Sequence, residues 1–155
     1  MISYLGEFAL WLSFCFAILQ FTFSHKITNN SRSRLIKIAV IGLLICALTS
    51  FFSLMYSYVI SDFSVINVFQ NSHSTKPLIY KISAVWGNHE GSMLLWILVL
   101  TIFNYFIFRL YNKTNSIFIS KTLETQSVIT IGFVLFTLFT SNPFEKILPT
   151  QPDGL

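Results

Sequence analysis

The chain has 155 residues, of which 54% are hydrophobic and only 10% are charged, and its mean hydropathy is +0.67. Soluble domains carry about 25% charged residues, so this composition excludes a water-exposed globular surface and predicts a membrane protein. The formal net charge of +4 comes from basic residues in short connections between apolar runs. Membrane topology accounts for such residues, and no nucleic-acid partner is predicted.

Four apolar runs predict an all-α membrane protein with four transmembrane helices. The runs occupy residues 2–23, 38–60, 92–110 and 123–139. Each comes close to the ~20 apolar residues that cross a hydrocarbon core of roughly 30 Å. The first run has no preceding basic segment and no small-residue cleavage pattern, so we expect a retained helix and not a removed signal peptide. Residues 1–155 are predicted to form a single membrane domain.

An acidic residue and two cysteines lie within these runs. Glu7 is near the start of the first run, where it is either an anion at the head-group level or a buried functional carboxylate. Cys15 and Cys46 lie in separate runs, and no C-x-x-C pattern occurs. Neither dithiol chemistry nor covalent cofactor attachment is therefore predicted, and both cysteines are interpreted as small buried hydrophobic residues.

The long connection at residues 61–91 contains one further helical pattern. Pro77 suits a first helical position. Helical spacing then places five apolar residues on one face: Leu78, Ile79, Ile82, Val85 and Trp86. About three turns of this kind are expected to lie on the membrane surface as a short interfacial helix. The tail at residues 140–155 is too polar to stay in the hydrocarbon core.

The positions of the basic residues predict the orientation of the chain. The first and third connections contain Lys26, Arg32, Arg34, Lys113 and Lys121. The connection at residues 61–91 carries as many acids as lysines, without a positive excess. Since cytoplasmic loops are enriched in lysine and arginine, both termini and residues 61–91 are predicted to face outward.

The most prominent polar cluster is the sequence WGNHEGSMLLW at residues 86–96, where the long connection meets the third apolar run. Asn88 suits the cap of the third helix, because its side chain can accept from free backbone amides. Glu90 then lies in the first turn, where the helix dipole stabilises its charge. One interpretation of the cluster is therefore structural: a capped helix start anchored by interfacial tryptophans.

The other interpretation is a docking surface for a flat, amphipathic ligand. Trp86 and Trp96 would supply stacking area, and His89 or Ser92 would supply a polar contact. A role for His89 as an axial haem ligand is conceivable, but a single histidine without a second ligand is weak evidence. The chain lacks the residue spacing of a hydrolase, a phosphate loop or a zinc site, so no catalytic residue is assigned and no metal site is predicted.

Several segments, in the same order along the chain, resemble the CcmF family of cytochrome c-type biogenesis proteins. They lie at residues 5–10, 61–68, 71–78, 80–82, 86–96 and 140–144. The block at residues 86–96 is the most specific of them. This family consists of haem lyase subunits, so the resemblance implies the N-terminal part of a larger polytopic bundle. It also implies a role in receiving haem on the outer face and attaching it to apocytochrome c.

The resemblance further implies a ligand, partners and a location. Haem would bind transiently, and the candidate haem-docking residues are Trp86, Gly87, His89, Glu90, Ser92 and Trp96. The implied partners are a membrane-tethered haem chaperone, a thiol-handling subunit and apocytochrome c. The location would be the bacterial inner membrane or the mitochondrial inner membrane, with several membrane crossings.

The family pattern continues beyond residue 155, the last residue of this chain. The chain lacks the family's tryptophan-rich segment and its His-Pro-Pro sequence, so we expect a piece from a split gene or a truncated reading frame. The family's axial histidines do not map onto His25, His73 or His89. Such a piece should need a complementary C-terminal chain for haem ligation. The alternative function is a non-enzymatic membrane scaffold or a small-molecule transporter subunit.

Overall fold

The computed structural model describes residues 1–25, 30–110, 116–150 and 152–155, with side chains described throughout except at 30–33 and 116. These ranges contain the helices α1 (Ile2–His25), α2 (Asn30–Val59), α3 (Ile66–Asn71), α4 (Leu78–Ala84), α5 (His89–Leu110) and α6 (Ser116–Phe139). The predicted cytoplasmic connections around Lys26 and Lys113 lie outside the described residues.

Helices α1, α2, α5 and α6 are long and apolar enough to cross a membrane. The predicted all-α fold with four membrane helices and a short additional helix is confirmed. Helix α2 begins at Asn30 and α6 at Ser116, well before the predicted starts at residues 38 and 123. Hydropathy marks only the part of a helix that suits hydrocarbon, whereas helical hydrogen bonding continues through polar end turns. The six-residue α3 was not predicted.

The four long helices pack in a ring. The main contacts join α1 to α2, α2 to α5, α5 to α6, and α6 back to α1. The core cluster of the described residues includes Leu10, Leu54, Leu94 and Val134, one from each long helix. Residues at the C-terminal ends of α2 and α6 and the N-terminal ends of α1 and α5 therefore meet at one end of the bundle.

On α1, most of the inward side chains are small or polar, and large apolar side chains face outward. The buried residues of α1 are Ser3, Gly6, Ala9, Leu10, Ser13, Ala17, Gln20 and Ser24. Its exposed hydrophobic residues are Tyr4, Leu5, Phe8, Trp11, Leu12, Ile18 and Leu19. Membrane helices associate through small and polar residues because lipid covers the apolar faces, so the packing itself supports a membrane location.

Cys15 does not match its prediction. It lies on the exposed side of α1, while Cys46 is buried as expected. The reason is register: Cys15 falls between the inward positions Ser13 and Ala17, which repeat at helical spacing along α1. Glu7, in the same helix, is half-buried.

A buried amide pair joins α1 to α5 and α6. The Nε2 atom of Gln20 donates to Oδ1 of Asn104 and to the carbonyl oxygen of Leu123, both at 3.1 Å. One turn further, Ser120 Oγ donates to the carbonyl oxygen of Ser24 at 2.8 Å. Hydrogen bonds between the helices fix their positions along one another, because an unpaired amide in hydrocarbon is costly.

The described residues of the tail, 141–150 and 152–155, fold back over the long connection, at the end predicted to face outward. Val65 and Lys146 form an isolated antiparallel bridge. Within this bridge the Ile66 amide donates to the Glu145 carbonyl at 2.9 Å. Phe144 is buried against α1, where a side chain at Gly6 would overlap its ring. The connection and the tail therefore form one cap over the bundle.

Candidate functional site

The turn between α4 and α5 is fixed by Asn88. As predicted, Asn88 caps α5: its Oδ1 accepts from the Gly91 amide at 2.7 Å. Its Nδ2 donates to the Ala84 carbonyl at 2.9 Å, which ties the end of α4 to the start of α5. A side chain at Gly91 would overlap the carbonyl oxygen of Val85, so the close approach of the two segments requires glycine.

A buried hydrogen-bond network extends from this turn to α2 and α3. Asn88 and Asn67 donate to each other's side-chain oxygens, at 3.3 Å and 2.9 Å. The Tyr58 hydroxyl donates to Asn67 Oδ1 at 2.5 Å and accepts from Asn88 Nδ2 at 2.9 Å. Asn67 Nδ2 also donates to Glu90 Oε2 at 3.1 Å. Because these hydrogen bonds connect α2, α3 and the start of α5 with the turn, the network fixes the position of the turn.

Two tyrosines near the end of α2 have different surroundings. Aromatic residues at the end of a membrane helix usually lie at the membrane–water interface, and Tyr56 is 48% exposed. Tyr58 is fully buried, because its hydroxyl belongs to the network under the turn. Asn67, which is 3% exposed, had no local sequence signal and was missed.

His89 is held against the tail. Its Nδ1 atom lies 2.6 Å from Ser141 Oγ. Its ring meets Phe136 of α6 edge-on, with centroids 6.1 Å apart. His89 is exposed, and among the described residues its Nε2 atom has no hydrogen-bond partner. Ser141 was not predicted as part of the site, because it lies 52 residues from His89 in the sequence.

An apolar groove begins beside His89. It lies between α5 and α6 and has a volume of about 460 Å³. Its lining residues are Met93, Val128, Ile129, Gly132, Phe133 and Phe136. Ligand sites are usually concave, mostly apolar and about 300–1,000 Å³ in volume, so the groove has the size of a small-molecule site. Phe136 both lines the groove and contacts the imidazole ring.

The structure divides the predicted haem-docking residues into two groups. Trp86, Gly87, His89 and Trp96 are exposed, the two indoles at 43% and 56%. Among the ring contacts of the described residues, none joins Trp86 to Trp96. Glu90 and Ser92 are half-buried and already bonded, Glu90 to Asn67 and Ser92 to the His89 carbonyl at 2.8 Å. Their part in docking stays a prediction.

Helix α4 and the residue after it turn two side chains towards the core, and one of them, Val85, belongs to the apolar face predicted for the membrane surface. Lys81 and Val85 point inward, and Lys81 Nζ donates to Ser61 Oγ at 2.6 Å beyond the end of α2. Leu78, Ile79 and Trp86 are exposed as a surface helix requires, but Val85 is fully buried. Because Lys81 and Val85 are four residues apart, burial of one brings the other inward as well.

His73, in the long connection, has a partner in the tail. Its Nε2 lies 3.4 Å from Asp153 Oδ2 in the tail. Hydrogen bonds from the Ser74 hydroxyl and then from the Ser74 amide hold the pKa of Asp153 at about 2, with smaller effects from Gly154 and His73.

Among the described residues, no group of three or more His, Cys, Asp or Glu side chains could hold a metal ion.

Comparison with known proteins places the chain in a family. No protein-family model matches the chain. The chain is 42% identical to the cytochrome c-type biogenesis protein CycK of Rhizobium meliloti, over 99% of its own length and 23% of that protein. It is 37% identical to the cytochrome c-type biogenesis protein CcmF of Haemophilus influenzae, over 99% of its own length and 24% of that protein.

A solved structure shares the fold. The structure of a protein named cytochrome c haem lyase CcmF matches 94% of this chain and 25% of its own, with a TM-score of 0.86 and 24% sequence identity. Fold and site thus define a polytopic membrane protein whose helix ring carries a polar cap. The chain belongs to the CcmF family of cytochrome c-type biogenesis proteins. It spans about a quarter of the length of these relatives.

Proposed function

We propose that this chain is the N-terminal portion of a haem lyase subunit for c-type cytochrome biogenesis. In this role it helps to receive haem on the outer face of the membrane and to attach it to apocytochrome c. The observation that carries the proposal is the exposed His89 beside an apolar groove of about 460 Å³. Membership of a cytochrome c biogenesis family supports haem as the ligand.

The residues of the site suit a flat, amphipathic ligand. The aromatic rings of Phe133 and Phe136 line the groove, and exposed indoles lie nearby in the sequence, Trp86 in the turn before α5 and Trp96 on α5. Such surfaces bind a porphyrin through stacking and through removal of apolar area from water. His89 adds a polar contact at the rim of the groove. Haem docking would thus use the exposed residues, while the buried network under the turn keeps them in position.

The orientation follows from the charge pattern. Both termini and residues 61–91 would face outward, into the periplasm or its mitochondrial equivalent. Lys121, one of several described cations towards the opposite end, pairs with Glu124 at 2.7 Å near the start of α6. In this arrangement the cap is accessible to a haem chaperone, a thiol-handling subunit and apocytochrome c. The membrane would be the bacterial or mitochondrial inner membrane.

The chain would act together with the part of the family that it does not span. Because it spans about a quarter of its relatives, ligation of haem would need residues from the complementary C-terminal part. This part would be supplied by a separate chain if the gene is split. Haem would be held transiently, and the chemical step would require both parts.

Haem titration of the purified 155-residue chain tests the docking role. Replacing Trp86, His89 and Trp96 together by alanine should weaken haem binding at least about tenfold, or about 1.4 kcal/mol. Trp11→Ala is the matched control, because Trp11 is 43% exposed on α1 and is not among the residues that line the groove. Equal affinity of the triple variant and the wild type would refute the docking role.

A cellular test separates this proposal from a scaffold or transporter subunit. The wild-type chain, co-expressed with the complementary chain, should support cytochrome c maturation, and the triple variant should not. If deletion of the chain left cytochromes c normal but altered transport or assembly of another complex, the alternative function would replace the proposed one.

A further inference from the structure

The hydrogen bond between Ser141 and His89 has an identifiable direction. Ser141 is 3% exposed, and His89 is the hydrogen-bond partner of its hydroxyl within the described residues. A serine hydroxyl has one proton to donate and two lone pairs that accept. A buried O–H group without an acceptor is costly, whereas an unfilled lone pair on a bonded oxygen is common. Ser141 therefore uses its proton and donates to His89 Nδ1.

This direction fixes the tautomer of the imidazole. A neutral histidine carries one proton on its ring, so a ring that accepts at Nδ1 carries that proton on Nε2. The Nε2 atom has no partner among the described residues and belongs to an exposed ring. His89 thus presents an N–H donor to the outside, and the lone pair that a metal would need at Nε2 is absent.

We propose that His89 binds a carboxylate of the ligand through its Nε2–H group, and that Ser141 is the positioning residue that sets this tautomer. The identification of that carboxylate as a haem propionate depends on the proposed function. The groove beside His89 is lined entirely by apolar side chains. A ligand with an apolar body and carboxylates along one edge would therefore place its body in the groove and an acid group at His89.

This assignment changes the role of the histidine. In a metal site, the second ring nitrogen usually donates to a carboxylate or carbonyl, which leaves a lone pair for the metal. At His89 the second nitrogen accepts from a hydroxyl, which is the opposite arrangement. His89 would therefore recognise the edge of the porphyrin, and the iron would take its ligands from elsewhere.

The tautomer can be measured without any haem. In the ¹⁵N-histidine-labelled 155-residue chain in maltoside micelles, His89 should show a protonated Nε2 and an unprotonated Nδ1. Ser141→Ala should shift the Nδ1 resonance, because Nδ1 loses its donor, and Ser141→Thr should leave it unchanged because the hydroxyl remains. His89→Gln identifies the resonance among the three histidines. A proton on Nδ1 in the neutral wild-type ring would overturn the proposal.

The carboxylate contact is tested by comparing haem with its dimethyl ester, in which both propionates are capped. The wild-type chain should bind haem about tenfold tighter than the ester, as expected for a hydrogen bond to a charged group. His89→Ala should abolish this preference, and His89→Gln should retain most of it, because the glutamine amide also donates. Trp11→Ala controls for general effects on the micelle-bound chain, and it should keep the preference.

The outcomes separate this proposal from the proposed function. If haem and its ester both bind, but with a preference that His89→Ala leaves unchanged, haem docking stands and the carboxylate contact is wrong. A loss of the low-spin haem spectrum in His89→Ala would show an iron ligand and also overturn it. If neither compound binds, the proposed function fails, and with it the propionate contact.

Discussion

Replacing Asn88 by alanine should strongly destabilise the turn between α4 and α5, because it removes several hydrogen bonds at once. It removes the cap bond to the Gly91 amide at 2.7 Å, which costs about 1 kcal/mol at a helix start. It also removes the bonds to Tyr58 and Ala84 and the bond from Asn67, each at 2.9 Å, and such bonds contribute about 0.5–1.5 kcal/mol each. The expected loss in free energy of unfolding is about 2.5–5.5 kcal/mol.

Two further variants divide this loss into its parts. Asn88→Ser keeps a cap oxygen for Gly91 but has no amide to donate, so it should recover about 1 kcal/mol. Tyr58→Phe removes only the hydroxyl that accepts from Asn88. In a double-mutant cycle, Asn88→Ala and Tyr58→Phe should be coupled by about 1 kcal/mol, since the second change has less to remove once the first is made.

The assay is reversible unfolding in mixed micelles, followed by the fluorescence of the tryptophans. Amide exchange at Gly91 gives a local reading of the cap, and it should accelerate in Asn88→Ala and much less in Asn88→Ser. A loss below about 0.5 kcal/mol in Asn88→Ala would equal an ordinary surface substitution. That result, or additive effects of Asn88→Ala and Tyr58→Phe, would refute the reasoning that the network holds the turn.

Two other predictions concern the turn and the tail. Gly91→Ala should prevent correct folding of the cap because its Cβ would overlap the Val85 carbonyl, whereas Gly87→Ala has room and should retain native unfolding stability. Equal stability of these two variants would contradict the close approach. The pKa of Asp153, about 2 and below its ordinary 3.8, makes its contact with Ser74 stabilising above pH 3.8 and lost as the pH falls through about 2. NMR titration of the Ser74 amide should show that midpoint, and Asp153→Asn should abolish it; a midpoint near 4 would contradict the contact.

The four membrane helices were predictable because hydropathy and length are local properties. A run of about 20 apolar residues has few alternatives to a membrane helix. The Asn88 cap was predictable for the same reason, since it depends on residues three positions apart. The helix ends were less accurate, because α2 and α6 continue into polar end turns that hydropathy does not mark.

The contacts that position the candidate site could not be predicted from local patterns. Ser141 reaches His89 across 52 residues, and Asn67 reaches Asn88 across 21. Such pairs form only because the tail and the long connection fold over the same end of the helix ring. The inward position of Lys81 is similar: its partner Ser61 lies at the end of α2, and the apolar pattern of α4 does not reveal it.

The central claim is that the turn at residues 86–96 faces the outer side of the membrane, where it can meet haem and its carriers. Labelling with a membrane-impermeant maleimide tests this claim most directly, in a chain carrying Cys15→Ala and Cys46→Ala. Gly87→Cys provides an exposed thiol in the turn, and Lys121→Cys provides an exposed control at the opposite end of the bundle. The account predicts labelling of Gly87→Cys in intact cells or right-side-out vesicles, and labelling of Lys121→Cys only after the membrane is opened. The reverse pattern would contradict it.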